Sequence, residues 1–379
     1  MEDQVRPRGG AVAREGRILK VGILTFHRAP NAGAVLQAFA LQTTLRRMGH
    51  QVEFIDYEPR RKHYLREFVG KGAVKTLHKL EDRFREFRHG FSDSYHRVLC
   101  KGGTRYRSIE DLRASPPPYE AYIAGSDQIW NVGSRGKIDR VYYLDFGPPS
   151  IRRVAYAASF GQCSVPSALE QEITSLLDGF DAIGVRESNG ARFASELLAG
   201  RNPVAQVMDP TFLLTPGEYA HIVETCPGAQ GSLVTYILAE YHPPQLQILE
   251  RVRNRLGTRH LNLRNPDTCV RLGRSVDRVV DPYRWLGAIS EARFVLCSSF
   301  HAVVFSLLYH RDFLAVSPYP NARVQSLLAL VGLEGRFMTE FAQDAVDRAV
   351  DSRIDWNRVD MLLAEHSSDS LGFLEKTLV

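Results

Sequence analysis

Short apolar runs alternating with polar turns and helix-length amphipathic stretches recur along this 379-residue chain. Residues 18–26 (ILKVGILTF) are apolar and β-branched, as in a strand buried on both faces. They run into a turn carrying His27, Pro30, Asn31 and Gly33. Val35, Leu36, Phe39, Ala40 and Leu45 then recur at helical spacing until Gly49, and residues 51–57 (QVEFIDY) predict the next strand. The unit is strand, small-residue turn, helix, strand. Three further strands, over residues 121–124, 153–159 and 182–185, end at Ser126-Asp127, at Phe160-Gly161 and at Arg186-Glu187-Ser188. Four successive strand ends thus deliver polar residues to one sheet edge.

The pattern repeats in the second half. Residues 204–208 lead into Asp209-Pro210-Thr211, read here as the passage between domains. Strands follow over 232–238 and 260–263, with a helix over 245–256 between them. Leu286, Ile289 and Ala292 have helical spacing, residues 294–297 are a short apolar strand, and Ser298-Ser299-Phe300-His301 opens another buried helix. A strand over 311–316, a loop reaching Arg323 and a helix closed by Gly332 complete the set. The expected fold is α/β: two Rossmann-like domains facing each other across a cleft. The expected boundaries are a disordered leader 1–17, an N-terminal domain 18–205 and a C-terminal domain 206–379 whose last helix packs back on the first. Ligands of such sheets bind beyond the carboxyl ends of the strands. His301, beside two hydroxyls at a helix start, stands in that position. The plainer alternative is that Ser298 or Ser299 only caps the helix.

Composition narrows the class. A hydrophobic content of 44% and a charged content of 24% are those of a globular protein. No apolar run is long enough to span a membrane and the N-terminus lacks a signal-peptide core, so cytoplasmic residence is expected. Five scattered cysteines, none in a Cys-x-x-Cys pair, argue against a disulfide framework or a zinc site. No Asp-x-Asp or His-x-x-x-His set and no G-x-G-x-x-G loop occurs, so neither metal nor dinucleotide cofactor is expected. The net charge of +5 is concentrated: between Pro59 and Arg107 there are 14 Lys or Arg against 5 Asp or Glu. That basic segment, residues 60–107, reads as largely helical. It suits phosphates, anionic glycans or the inner membrane face, or it is simply a solvated helical face. No reader motif accompanies it, so nucleic acid is not expected as a partner.

Five blocks, taken together, resemble the polysaccharide pyruvyl transferase family: residues 22–27 through Asn31-Ala32-Gly33-Ala34; Ile123-Ala124-Gly125-Ser126-Asp127; residues 156–161; Val185-Arg186-Glu187 with Asp209-Pro210-Thr211; and Ser298-Ser299-Phe300-His301-Ala302. They occur in the family's order. Two positions depart from it: Ala32 stands where the family often has Tyr, and Ala302 where Gly is common. The resemblance implies a glycosyltransferase-B-like pair of domains. It also implies transfer of pyruvyl from phosphoenolpyruvate to two hydroxyls of a glycan or lipid-linked glycan, forming a cyclic ketal and releasing phosphate. His301 would be the general acid, and Arg186 the clamp for phosphate or carboxylate. Asp127 would act as base or, with Ser126, bind sugar hydroxyls, and His27 is a second base candidate. Asn31, Gly33 and the helix start after them would hold acceptor or anion. Ser299 and Arg323 would contact substrate. Asp127 and Asn31 have plainer readings as turn and loop caps, and Trp130 and Trp285 read as core. A glycosyltransferase using a sugar nucleotide and an inert partner in polysaccharide assembly are the alternative functions.

Overall fold

The computed structural model describes residues 17–29, 31–59, 97–133, 137–161, 165–238, 242–264 and 276–378. The leader through residue 16, the basic residues 60–96, Cys163 and Cys269 lie outside them.

The first half contains β1 (Lys20–Leu24), α1 (Ala32–Arg47), β2 (Gln51–Tyr57), β3 (Lys101–Tyr106), α2 (Ile109–Ala114), β4 (Ala121–Ala124), β5 (Arg152–Ala158), α3 (Ser167–Leu177), β6 (Ala182–Val185), α4 (Ser188–Leu198) and β7 (Val204–Gln206). The second contains α5 (Pro216–Tyr219), β8 (Leu233–Tyr236), α6 (Pro243–Leu256), β9 (His260–Arg264), β10 (Val276–Val279), α7 (Pro282–Glu291), β11 (Phe294–Cys297), α8 (Phe300–Leu308), β12 (Asp312–Val316), α9 (Ala322–Leu330), β13 (Phe337–Met338), α10 (Gln343–Asp351) and α11 (Trp356–Thr377). The strands form a 7-stranded sheet in the order β3-β2-β1-β4-β5-β6-β7 and a 6-stranded sheet in the order β10-β9-β8-β11-β12-β13. Every pairing is parallel. The fold is α/β with two Rossmann-like domains. Strand order reverses between β1 and β4 and between β8 and β11, where such sheets open a crevice.

Helix α1 holds the two halves together. Residues Ala32 to Gln42 are all buried, because the helix lies on the first sheet and also packs against α7 and the turn 210–213. Apolar packing therefore runs without a break from Val21 and Ile23 through Leu36, Phe39 and Phe212 to Trp285 and Phe305. Helix α11 adds a second tie. Its Ser370 Oγ accepts from Met208 N at 2.9 Å, its Thr377 carbonyl accepts from Arg152 Nη1 at 2.9 Å, and Phe373 lies against Tyr156.

The helical reading of the basic segment, centred on residues 74–91, lies outside the described residues; the segment's end, residues 101–106, forms edge strand β3. The register sets Arg105 beside Asp56, and its Nε lies 3.4 Å from Asp56 Oδ2. An edge strand tolerates such a polar, glycine-containing sequence because one side of its ladder is unpaired. Strand β13, only two residues long, carries too little pattern to read in sequence. Among the described residues no helix is long and apolar enough to cross a membrane.

Candidate active site

The carboxyl edges of the two sheets meet at one buried carboxylate, Asp209, which sits in the passage after β7. Asp209 Oδ1 accepts from Thr211 N at 3.1 Å and from Thr211 Oγ1 at 2.6 Å, bonds that come from capping the turn 210–213. Oδ2 accepts from Ser126 Oγ at 2.7 Å and from Arg186 Nη1 at 2.7 Å. His301 Nε2 approaches the same oxygen at 3.5 Å. Burial pushes this carboxyl upward, but His301, Arg186 and Thr211 outweigh it and hold the group well below the usual carboxylate range. Asp209 is therefore an anion inside the protein, matched by a cation just past the end of β6 and an imidazole from α8.

Arg186 is buried, and its remaining contacts are sparse. Its guanidinium lies 4.3 Å from the centroid of the Phe300 ring, a cation–π contact between the two halves. Nε stands 3.9 Å from Glu187 Oε2. Among the described residues, Nε and Nη2 of Arg186 and Oε2 of Glu187 have no hydrogen-bond partner. Buried donors are nearly always satisfied, so two free ones on one guanidinium mark a place suited to carboxylate or phosphate oxygens. Glu187 is anchored through Oε1, which accepts from Ser159 Oγ and Phe160 N, each at 2.9 Å. Burial pushes its carboxyl up, against the pull of Arg186.

His301 is buried on the first turn of α8 and meets the other domain at Gly33. A Cβ added to Gly33 would fall 2.3 Å from His301 Nδ1 and 2.4 Å from its Cγ. Only glycine permits this approach, so Gly33 is a contact of the domain junction. Arg323, partly buried on α9, lines a small cavity with Arg186, Asp209 and Phe300. Burial and the nearby Arg186 draw its pKa down to about 10. Asp127 adds the opposite charge to both arginines. It does so from a strained backbone, with φ at 87° in a non-glycine residue. Such a conformation costs about 1–3 kcal/mol and tends to occur at functional sites.

Four sequence-predicted residues are engaged by the fold itself, Asn31 and Ser299 in the caps of their plainer reading. Ser126 is fully buried between Asp209 and Arg186 and links them rather than facing a sugar. Asn31 caps α1 by accepting from Ala34 N at 3.3 Å. Ser299 caps α8 by accepting from Ala302 N at 3.4 Å, while Ser298 Oγ accepts from Leu238 N at 2.9 Å. His27 is turned inward, with Nδ1 3.0 Å from Thr25 O and Nε2 3.3 Å from Asp56 Oδ1. The buried Asp56, also paired with Arg28, captures that ring because a carboxylate under cover must be matched. Asp127 Oδ1 accepts from Gln128 N at 2.8 Å, so Asp127 caps its own turn as well as facing the arginines. Trp130 and Trp285 are core.

Sequence reasoning missed Asp209 and Glu187 as site residues. Both stood inside the motif blocks, but nothing local distinguishes an Asp before Pro-Thr from an ordinary turn cap. Among the described residues no three His, Cys, Asp or Glu side chains gather as metal ligands. A wider cleft at the amino ends of the first sheet is lined by Arg113, Arg140 and Arg153, whose cations already bind Asp145, Glu172 and loop carbonyls.

The family model for polysaccharide pyruvyl transferase matches residues 31–318, a span holding Gly33, Ser126, Asp127, Arg186, Asp209 and His301. A search of curated proteins finds no match. Among solved structures, the UDP-GlcNAc 2-epimerase from Neisseria meningitidis bound to UDP-GlcNAc is similar at TM-score 0.52 and 8% identity, over 94% of this chain and 98% of that one. The S. aureus MnaA–UDP co-structure is similar at TM-score 0.52 and 11% identity, over 92% and 91%. Likeness at these identities is one of fold, the glycosyltransferase-B-like pair of domains. The match across most of the chain settles the family: this protein belongs to the polysaccharide pyruvyl transferases.

Proposed function

We propose that the protein transfers pyruvyl from phosphoenolpyruvate to two hydroxyls of a glycan, forming a cyclic ketal. The observation that carries this reading is Arg186, fixed by Asp209 through one nitrogen and left with two buried donors that have no partner among the described residues, beside Arg323 and with His301 approaching the same Asp209 oxygen. Phosphoenolpyruvate carries a carboxylate and a phosphate, and two guanidinium groups suit that pair of anions.

The step begins when His301 gives a proton to the methylene carbon. The enol double bond supplies the electron pair for the new C–H bond, and the central carbon becomes cationic. A sugar hydroxyl oxygen adds there and gives up its proton, with Asp127 the candidate acceptor. The bond to the phosphate oxygen then breaks and phosphate departs with the electron pair. The second hydroxyl adds in the same way. Of the two hydroxyl protons, one replaces that lost by His301 and the other leaves on phosphate, so the balance closes with no further reactant. The arginines stabilise the charge building on the departing phosphate.

Incubation of the purified chain with phosphoenolpyruvate and a panel of glycans should release phosphate only when a suitable glycan is present. Absence of acceptor-dependent phosphate across a broad panel, with turnover of a sugar nucleotide instead, would overturn the reading. Gly33→Ala is expected to lower that turnover at least about tenfold, because the new methyl must displace the His301 ring, and a 1 Å misplacement costs on that order or more. The thermal midpoint should fall by only a few degrees. Unchanged turnover in Gly33→Ala would show that the contact with His301 is not needed.

A further inference from the structure

The two ring nitrogens of His301 lie in different surroundings. Nε2 is buried, faces Asp209 Oδ2 at 3.5 Å and is not aligned in a hydrogen bond. The edge carrying Nδ1 and Cγ lies against Gly33, in the first turn of α1. An ionised carboxylate only accepts hydrogen bonds, so an imidazole facing it is best matched with a proton on Nε2. Asp209 is itself fixed by Thr211, Ser126 and Arg186, so it is a rigid reference for the ring.

We propose that Asp209 is a positioning residue for His301, holding the Nε2–H tautomer so that Nδ1 is the nitrogen that delivers the proton. This rests on the pyruvyl-transfer reading. In the acid form both nitrogens carry protons. The Nδ1 proton passes to the methylene carbon, the imidazole is left neutral with Nε2–H directed at Asp209, and the positive charge moves to the central carbon of the substrate. The 3.5 Å separation closes to a hydrogen bond in the substrate-loaded site, as contacts in ligand-free sites commonly do. One carboxylate thereby orients the acid from one domain and the anion clamp from the other.

The test uses the full chain, with Asp209→Asn and Asp209→Glu, in the phosphate-release assay and in nitrogen-15 NMR. In Asp209→Asn kcat should fall about tenfold or more, since a misplaced proton donor costs on that order or more, and the His301 ring should lose its preference for Nε2–H, with partial return of both in Asp209→Glu. An unchanged ring tautomer in Asp209→Asn would reduce Asp209 to a structural role. Nitrogen-15 NMR of histidine-labelled wild-type protein supplies a readout that needs no variant of Asp209 to fold. The chain has 12 histidines, and His301 is assigned by the signal missing from His301→Gln. The neutral ring should carry its proton on Nε2, and a proton on Nδ1 would overturn the proposal. Loss of phosphate release in the wild type would sink the pyruvyl-transfer reading and leave the tautomer result standing by itself.

Discussion

His301→Ala should lower acceptor-dependent phosphate release by about 10²–10⁴-fold, the range for removing a positioned general acid. The effect should lie in kcat, since Arg186 and Arg323, the groups assigned to phosphoenolpyruvate, remain. The substitution also deletes a buried side chain that meets Gly33 and Asp209, so some stability is lost, about 1–3 kcal/mol. His301→Gln keeps most of the volume and separates the two effects: it should recover stability but not turnover. Near-normal kcat in both variants, measured on protein with intact circular dichroism, would remove His301 from the chemistry.

Arg186→Met carries the second large effect, and it falls on stability as well as activity. Arg186 supplies the cation at 2.7 Å from Asp209 Oδ2, and both side chains are buried. Breaking one side of a buried ion pair leaves an uncompensated charge and costs about 3–5 kcal/mol. Arg186→Lys should not restore the loss, because an ammonium cannot contact Asp209 and also present two further planar donors. The pH dependence has a definite sign. The native Asp209 carboxyl is held below its ordinary value, so its contribution is fully present above about pH 3.9, the unfolded value. It is lost as the pH falls below that. The stability gap between wild type and Arg186→Met in urea melts should therefore be widest near neutrality and narrow on acidification. A gap that widens in acid would contradict the paired state of Asp209.

Much of the fold was legible because the chain marks its strands with short apolar runs and ends them in polar turns. That rule placed Gly33, Ser126, Arg186 and His301 beyond strand ends, and the structure brings all four to the domain junction. Their individual use was less legible. Ser126 carries the same sequence signal whether it faces a ligand or bridges Asp209 and Arg186, and only tertiary packing decides. His27 follows β1 just as His301 follows β11, yet Asp56 on the neighbouring strand turns its ring inward. Asp209 follows a three-residue strand and precedes a short turn, so its role appears only when both sheets are in place. The positive φ at Asp127 was equally unreadable, since it occurs where Asp127 bridges to Ala158 beside a register shift in β5, a long-range pairing.

If this domain junction protonates an enol phosphate and moves its carbon skeleton onto a sugar, the atoms of the donor can be followed into the product. The most direct measurement is a reaction in heavy water with carbon-13-labelled phosphoenolpyruvate and an acceptor glycan, followed by NMR of the product. The labelled carbons should appear on the glycan as a ketal bonded to two sugar oxygens, its methyl group carrying a single deuterium from solvent. A glycan product without the labelled carbons, or one whose methyl carries no deuterium, would contradict that transfer.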